Sequence, residues 1–165
     1  MCADHPVEQV SHKDAVKFAE RMSERDPGHS YSLASEAQLE VVFRGGTTTA
    51  YVSGNDEACL GEYFWYNANS KNQTHPVRSK RANAFGIFRS SVYEWTNDRY
   101  DANYAGSAGL DPQGPIAGSD RVCRGSSWTA FAWDCRSAFR NKHYVRAFST
   151  GDLGFRLVRT KRLDR

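Results

Sequence analysis

The sequence predicts an α+β fold, and three observations predict it. Two stretches near the N-terminus repeat apolar residues at helical spacing. The strand candidates are short and lie further along the chain. Long stretches rich in Gly, Asn, Ser and aromatic residues separate them. The first helix is read over Ser11 to Arg25, with Ser11 as N-cap, Asp14 in a weak capping box, and Ala15, Phe18, Ala19 and Met22 on one face. Asp26-Pro-Gly28 ends it. The second is read over Ser35 to Arg44, with Ser35 and Gln38 forming a capping box and Leu39, Val42 and Phe43 its apolar face. Gly45-Gly46 stops it by permitting positive φ. The strand candidates are Ile87-Phe88, Val92 to Trp95, Arg121 to Arg124 and Phe155 to Arg159, with Leu153 to Val158 expected as a central strand. Residues 47–84 and 97–120 read as long loops, which in a compact domain usually carry function.

A chain of 165 residues suits one domain, taken here over residues 1–165. Apolar content of 39% with 25% charged residues indicates a globular rather than disordered chain. A net charge of +3 is too small to argue for a nucleic-acid partner, and the basic tail Arg156, Arg159, Lys161, Arg162, Arg165 reads as a solvated terminus. No segment has the apolar length needed to cross a bilayer, so no membrane insertion is expected. The start, Met1-Cys2-Ala-Asp-His-Pro6, carries no apolar signal region, so a signal or anchor is expected to lie outside these residues. The cysteines Cys2, Cys59, Cys123 and Cys135 form no C-x-x-C, and the histidines His5, His12, His29, His75 and His143 are scattered. No metal site and no cofactor are expected. Cys123 and Cys135 read as small buried thiols, with a pairing between them left open.

The last third of the chain is organised differently. Arg124-Gly-Ser-Ser-Trp128, Cys135-Arg-Ser-Ala-Phe139-Arg140 and Gly154-Phe-Arg-Leu-Val158 act as punctuation. Between them small, aromatic and polar residues follow no helical or strand period. A rigid frame holding chemically arbitrary insertions is expected to be a binding surface.

A series of blocks carries a resemblance. They are Pro6-Val-Glu-Gln-Val-Ser11 with Asp14-Ala15, Leu33-Ala-Ser-Glu-Ala-Gln-Leu-Glu40, Arg44-Gly-Gly46, Asn83-Ala-Phe-Gly-Ile-Phe88, Val92-Tyr-Glu-Trp-Thr96, Arg124-Gly-Ser-Ser-Trp128 and Gly154-Phe-Arg-Leu157. In this order they resemble the formylglycine-generating-enzyme (sulfatase-modifying factor) domain over residues 6 to 158. The resemblance implies a loop-rich C-type lectin-like fold with two helices and a small irregular antiparallel sheet. It also implies where an oxidase site would lie. The family's oxidases hold copper through two cysteines five positions apart; here the second falls on Cys135 and the first on Ala130. One thiolate beside an alanine does not make a Cu(I) site, so no catalytic residue is assigned. A family calcium loop precedes Glu94, but Phe88-Arg-Ser-Ser-Val92 lacks its Asn and Gly, and Glu94 is expected to be a buried or partly buried carboxylate with a local partner.

The segment from Arg124 to Val158 is also similar to the variable region of diversity-generating-retroelement target proteins, some of which use the same lectin-type fold. The resemblance implies Asn template codons between fixed blocks, changed only at adenines. Thr, Ala, Phe, Asp, His, Tyr, Ser and Gly are reachable from such codons; Lys, Glu, Gln, Met and Trp are not. The implied ligand-binding positions are Thr129, Ala130, Phe131, Asp134, Phe139, Asn141, His143, Tyr144, Ala147, Phe148, Ser149 and Thr150, while Trp133 and Lys142 are expected to be template-encoded.

Phe131, Phe139, Tyr144 and Phe148 are expected as aromatic anchors, with Thr129, Asp134, His143 and Thr150 as adaptable polar contacts. Trp128, Arg136, Arg140, Gly154, Phe155 and Arg156 read as scaffold, and Trp95, Phe85 and Phe88 as core. The function implied is a hypervariable ligand-binding display protein, not an enzyme. Its expected partner is a protein on another cell or host surface, and its expected place is extracellular, on a cell surface or virion. The alternatives are a copper oxidase of the formylglycine-generating type, a degenerate relative of it, or a nonvariable structural domain of a larger assembly.

Overall fold

Both expected helices form, and their caps explain where they begin. The computed structural model describes residues 4–103, 112–144 and 150–162. Helix α1 spans His12–Arg25, with the Ser11 hydroxyl accepting from the Asp14 amide. Helix α2 spans Glu36–Arg44 behind a reciprocal capping box of Ser35 and Gln38. It ends at Gly45 in the left-handed region (φ 58°). A Cβ there would lie 2.7 Å from the Asn83 side chain, whose Nδ2 donates to the Val42 carbonyl at 2.6 Å. Glycine is thus required both by φ and by the clamp that Asn83 places on the helix end. A one-turn helix α3, Leu60–Tyr63, interrupts the first long loop.

Six strands form two sheets. Strand β1 (His29–Leu33) pairs antiparallel with β6 (Leu157–Lys161), Leu33 opposite Leu157. The second sheet runs β4-β3-β2-β5, built from β2 (Tyr93–Arg99), β3 (Asp120–Arg124), β4 (Asn141–Tyr144) and β5 (Leu153–Phe155). Strands β2, β3 and β4 pair antiparallel, whereas β5 joins β2 in parallel. The expectation of one central strand over Leu153 to Val158 is therefore corrected. The chain breaks at Arg156, so β5 is a sheet edge and β6 belongs to the other sheet. Ile87-Phe88 forms no strand.

The main core lies where α1 meets the larger sheet: Ala15, Leu33, Tyr93, Trp95, Cys123, Ala130 and Leu153 are buried together. Trp95 Nε1 donates to the Val10 carbonyl at 3.0 Å, tying the N-terminal segment to β2. Gly154 brings that segment close on the other side, for a Cβ there would lie 2.2 Å from the Val7 carbonyl oxygen. A second cluster of Tyr51, Leu60, Phe64 and Cys135 anchors the long loop to the C-terminal third. Trp95 is core as expected, but Phe85 is not. It is 53% exposed, because the turn at Gly86 (φ 73°) directs the ring outward instead of into the clusters.

Candidate ligand-binding face

Three arginine–glutamate pairs hold the C-terminal third without much regular structure. Arg124, on β3, is fully buried. Its Nη2 lies 2.6 Å from Glu40 Oε2 and 3.0 Å from the Ser137 carbonyl, and its Nη1 donates to the carbonyls of Ala138 and Phe139. Arg140 forks onto both carboxylate oxygens of Glu36 and reaches the Asp101 carbonyl. Arg156 forks onto both oxygens of Glu94, each at 3.0 Å, and donates to the Phe88 carbonyl. Glu94 is indeed a buried carboxylate with a local partner, and its charge raises the pKa of Arg156. The planar guanidinium suits this work, since one side chain satisfies a carboxylate and several loop carbonyls together. Trp128, also expected as scaffold, donates from Nε1 to the Gly151 carbonyl at 2.9 Å.

On this frame the 128–136 segment presents an aromatic pair. Phe131 and Trp133 stack with ring centroids 4.5 Å apart and 13° between planes, and they are 50% and 54% exposed. A short 3₁₀ turn, Ala132–Cys135, sets their spacing. The Asp134 carboxylate closes that turn by accepting from the Phe131 amide at 3.0 Å, and Arg136 Nε holds the Trp133 carbonyl at 2.8 Å. Thr129 is exposed; its hydroxyl donates to Asp152 at 3.0 Å and lies 2.7 Å from the Ser127 hydroxyl. Thr150 is exposed as well.

The other implied contact residues divide. Ala130 is corrected: it is 2% exposed and belongs to the main core with Trp95 and Cys123, so it is not available at the surface. Phe139 is half-buried and packs against the same core, so its ring is only partly available. Asn141 and His143 are half-buried on β4; Asn141 Oδ1 accepts from the Lys142 amide, and His143 meets Trp95 edge-on at 6.0 Å. Tyr144 takes its place in β4 opposite Asp120. Ala147, Phe148 and Ser149 lie outside the described residues. Trp133, set aside as template-encoded, is exposed and stacked on Phe131, which codon reasoning missed; a large aromatic flanked by small and polar residues was the available signal.

The residues at the position of the copper site do not fit the metal. Ala130 offers a methyl group. The Cys135 thiol is fully buried, and desolvation pushes its pKa up to about 12, so it stays protonated. Cys123 is also a free buried thiol, its pKa raised by burial and then by Asp152.

The chain matches the sulfatase-modifying factor enzyme 1-like domain over residues 1–161. It therefore belongs to the sulfatase-modifying factor family and has that family's C-type-lectin-like α+β fold. Among curated relatives, the formylglycine-generating enzyme of Streptomyces coelicolor is 31% identical over 175 residues, covering 93% of this chain and 52% of that protein. The serine/threonine-protein kinase pkn1 of Chlamydia caviae is 29% identical over 162 residues, covering 95% of this chain and 24% of the kinase. The chain thus spans at most about half the length of these relatives. Among solved structures, Treponema denticola variable protein 1 superposes with a TM-score of 0.88 at 27% identity, covering 98% of this chain and 73% of that one. PvdO from Pseudomonas aeruginosa superposes at 0.84 with 26% identity, covering 96% and 62%.

Proposed function

We propose that this chain is a ligand-binding display protein diversified by a retroelement, taking a protein partner through side chains carried on a fixed lectin-type frame. The observation that carries the reading is the Phe131–Trp133 stack, half-exposed on a turn held by Asp134 and Arg136, next to the segment whose carbonyls Arg124 binds. Exposed aromatics with few rotamers make binding anchors at small entropic cost. The frame's hydrogen bonds go to backbone carbonyls and to glutamates outside the insertions, so side chains at Thr129 and Phe131 can change without removing them. The likeness to a variable protein supports the reading. Its place is extracellular, on a cell surface or virion, and the partner is a protein on another cell or host surface.

Sequencing the gene from many isolates tests this directly. Substitutions should concentrate in the codons for Thr129, Phe131, Asp134, Asn141 and Thr150 and spare Arg124, Arg140 and Arg156. Substitutions spread evenly over the chain would refute it.

A second reading, a copper oxidase, is favoured by the relatives named formylglycine-generating enzyme. Ala130 and the protonated Cys135 oppose it. Copper-dependent oxygen consumption with a cysteine peptide would revive it.

A further inference from the structure

Strands β2, β3 and β4 line up a row of basic side chains that ends at an implied variable position. Arg99 pairs with Arg121 across β2 and β3, and Arg121 pairs with His143 across β3 and β4. Alternation places Arg121 and His143 on the face that carries Cys123 and Asn141, the face on which Trp95 meets His143. His12 of α1 meets Trp95 edge-on at 5.6 Å on that face; burial first, then the charges of Arg121 and Arg99, depress its pKa.

Among the described residues neither Arg99 nor Arg121 forms an ion pair. Among the described residues their hydrogen bonds go only to backbone, Arg99 Nη1 to the Gly118 carbonyl and Arg121 Nη1 to the Asn97 carbonyl. Arg121 Nε is buried with no hydrogen-bond partner. The pKa of Arg121 is lowered by desolvation first and by Arg99 second; Asp98 opposes them more weakly, and its Oδ2 already accepts from the Glu36 amide. Asp120, the next carboxylate along β3, faces Lys142 instead, at 3.9 Å. Like charges directly opposite each other on a sheet are unfavourable, and a guanidinium with an idle N–H costs more still when partly desolvated.

We infer that Arg99 and Arg121 form a fixed anionic-ligand subsite beside the variable face, taking the carboxylate of an acidic segment of the protein partner. Resting on the display reading, the inference adds the partner's chemistry. The variable positions adapt to shape, while this pair supplies a constant preference for acidic sequence next to position 143. A guanidinium pair suits carboxylate forks, and a charged rim raises association rate and selectivity.

The test uses a fluorescein-labelled deca-glutamate peptide, with a deca-lysine peptide and a single-stranded deoxyoligonucleotide as controls, read by anisotropy at low and high salt. The chain should bind the glutamate peptide and ignore the lysine peptide. Binding should fade as salt shortens the screening length to about 3 Å near 1 M. The double variant Arg99→Gln/Arg121→Gln should bind about tenfold or more weakly, in line with loss of charge complementarity. Arg121→Glu, which gives Arg99 an opposite charge, should abolish binding while its melting temperature holds or rises. Equal binding by wild type and both folded variants would overturn the inference, as would preference for the oligonucleotide. Phe131→Ala/Trp133→Ala should leave peptide binding intact. If that variant alone loses a natural partner and the arginine variants do not, the subsite fails and the display reading stands.

Discussion

Arg124 Nη2 lies 2.6 Å from Glu40 Oε2, joining β3 to α2, and the same side chain binds the carbonyls of residues 137–139. One buried guanidinium therefore ties the scaffold to the segment entering β4. Arg124→Met should lower stability by about 3–5 kcal/mol, since it leaves three carbonyls without their donor and Glu40 with Arg44 alone. Chemical denaturation checks this; a loss below about 1 kcal/mol would mean that water replaces the arginine.

Phe131 and Trp133 should behave in the opposite way. Both are about half-exposed, so Phe131→Ala and Trp133→Ala should each change stability by less than about 1 kcal/mol while abolishing partner binding. Thermal melts alongside a binding assay separate the two effects. A strong loss of stability would make the stack structural.

Gly154 packs against the Val7 backbone, where a Cβ would sit 2.2 Å from its carbonyl oxygen. Gly154→Ala should displace the N-terminal segment at a cost of about 1–3 kcal/mol. Faster amide exchange at Gln9, whose N–H donates to the Thr150 carbonyl at 3.3 Å, would report the movement.

His12 is buried against Trp95, and its Nε2 donates to the Thr96 carbonyl at 3.1 Å. Desolvation first, then Arg121 and Arg99, lower its pKa from 6.5 to about 4. The unfolded chain therefore takes up this proton before the folded one does. The His12 contribution is intact above pH 6.5 and is lost as pH falls from 6.5 towards 4, by about 3 kcal/mol. Melting temperatures at pH 7.5 and 5 should diverge less in His12→Gln than in wild type. An unchanged difference would show that other groups carry the acid sensitivity.

The buried thiols offer a simple check on the copper reading. Under native conditions iodoacetamide should label Cys59, which is exposed, and leave Cys123 and Cys135 unmodified. Peptide mapping after labelling decides it. Rapid modification of Cys135 would indicate an accessible thiolate and reopen the oxidase reading.

Both long helices were legible because caps and apolar spacing are local signals; Ser11, Ser35, Gln38 and Gly45 do what their types suggest. Strand β1 was not legible. His29–Leu33 has little apolar content, and its partner β6 lies at the other end of the chain, so nothing nearby in sequence marks it. The break at Arg156 was hidden for a related reason: its side chain turns to Glu94, a tertiary contact. Within the candidate face, codon reasoning pointed to Phe131 and Thr129, which are exposed, but not to the burial of Ala130 or the exposure of Trp133. Reachability from a codon says which residue types can occur at a position. It carries no information about the space around them.

The central claim is that the frame keeps its shape whatever the insertions carry. A variant with Thr129, Phe131, Asn141 and Thr150 all substituted, by Tyr, Asp, Ser and His in that order, tests it in one thermal melt. The account predicts a single cooperative transition within about 5 °C of wild type, equivalent to roughly 1–2 kcal/mol at this size. Loss of the cooperative transition, or a fall of more than about 15 °C, would show that these side chains hold the fold together and would contradict the account.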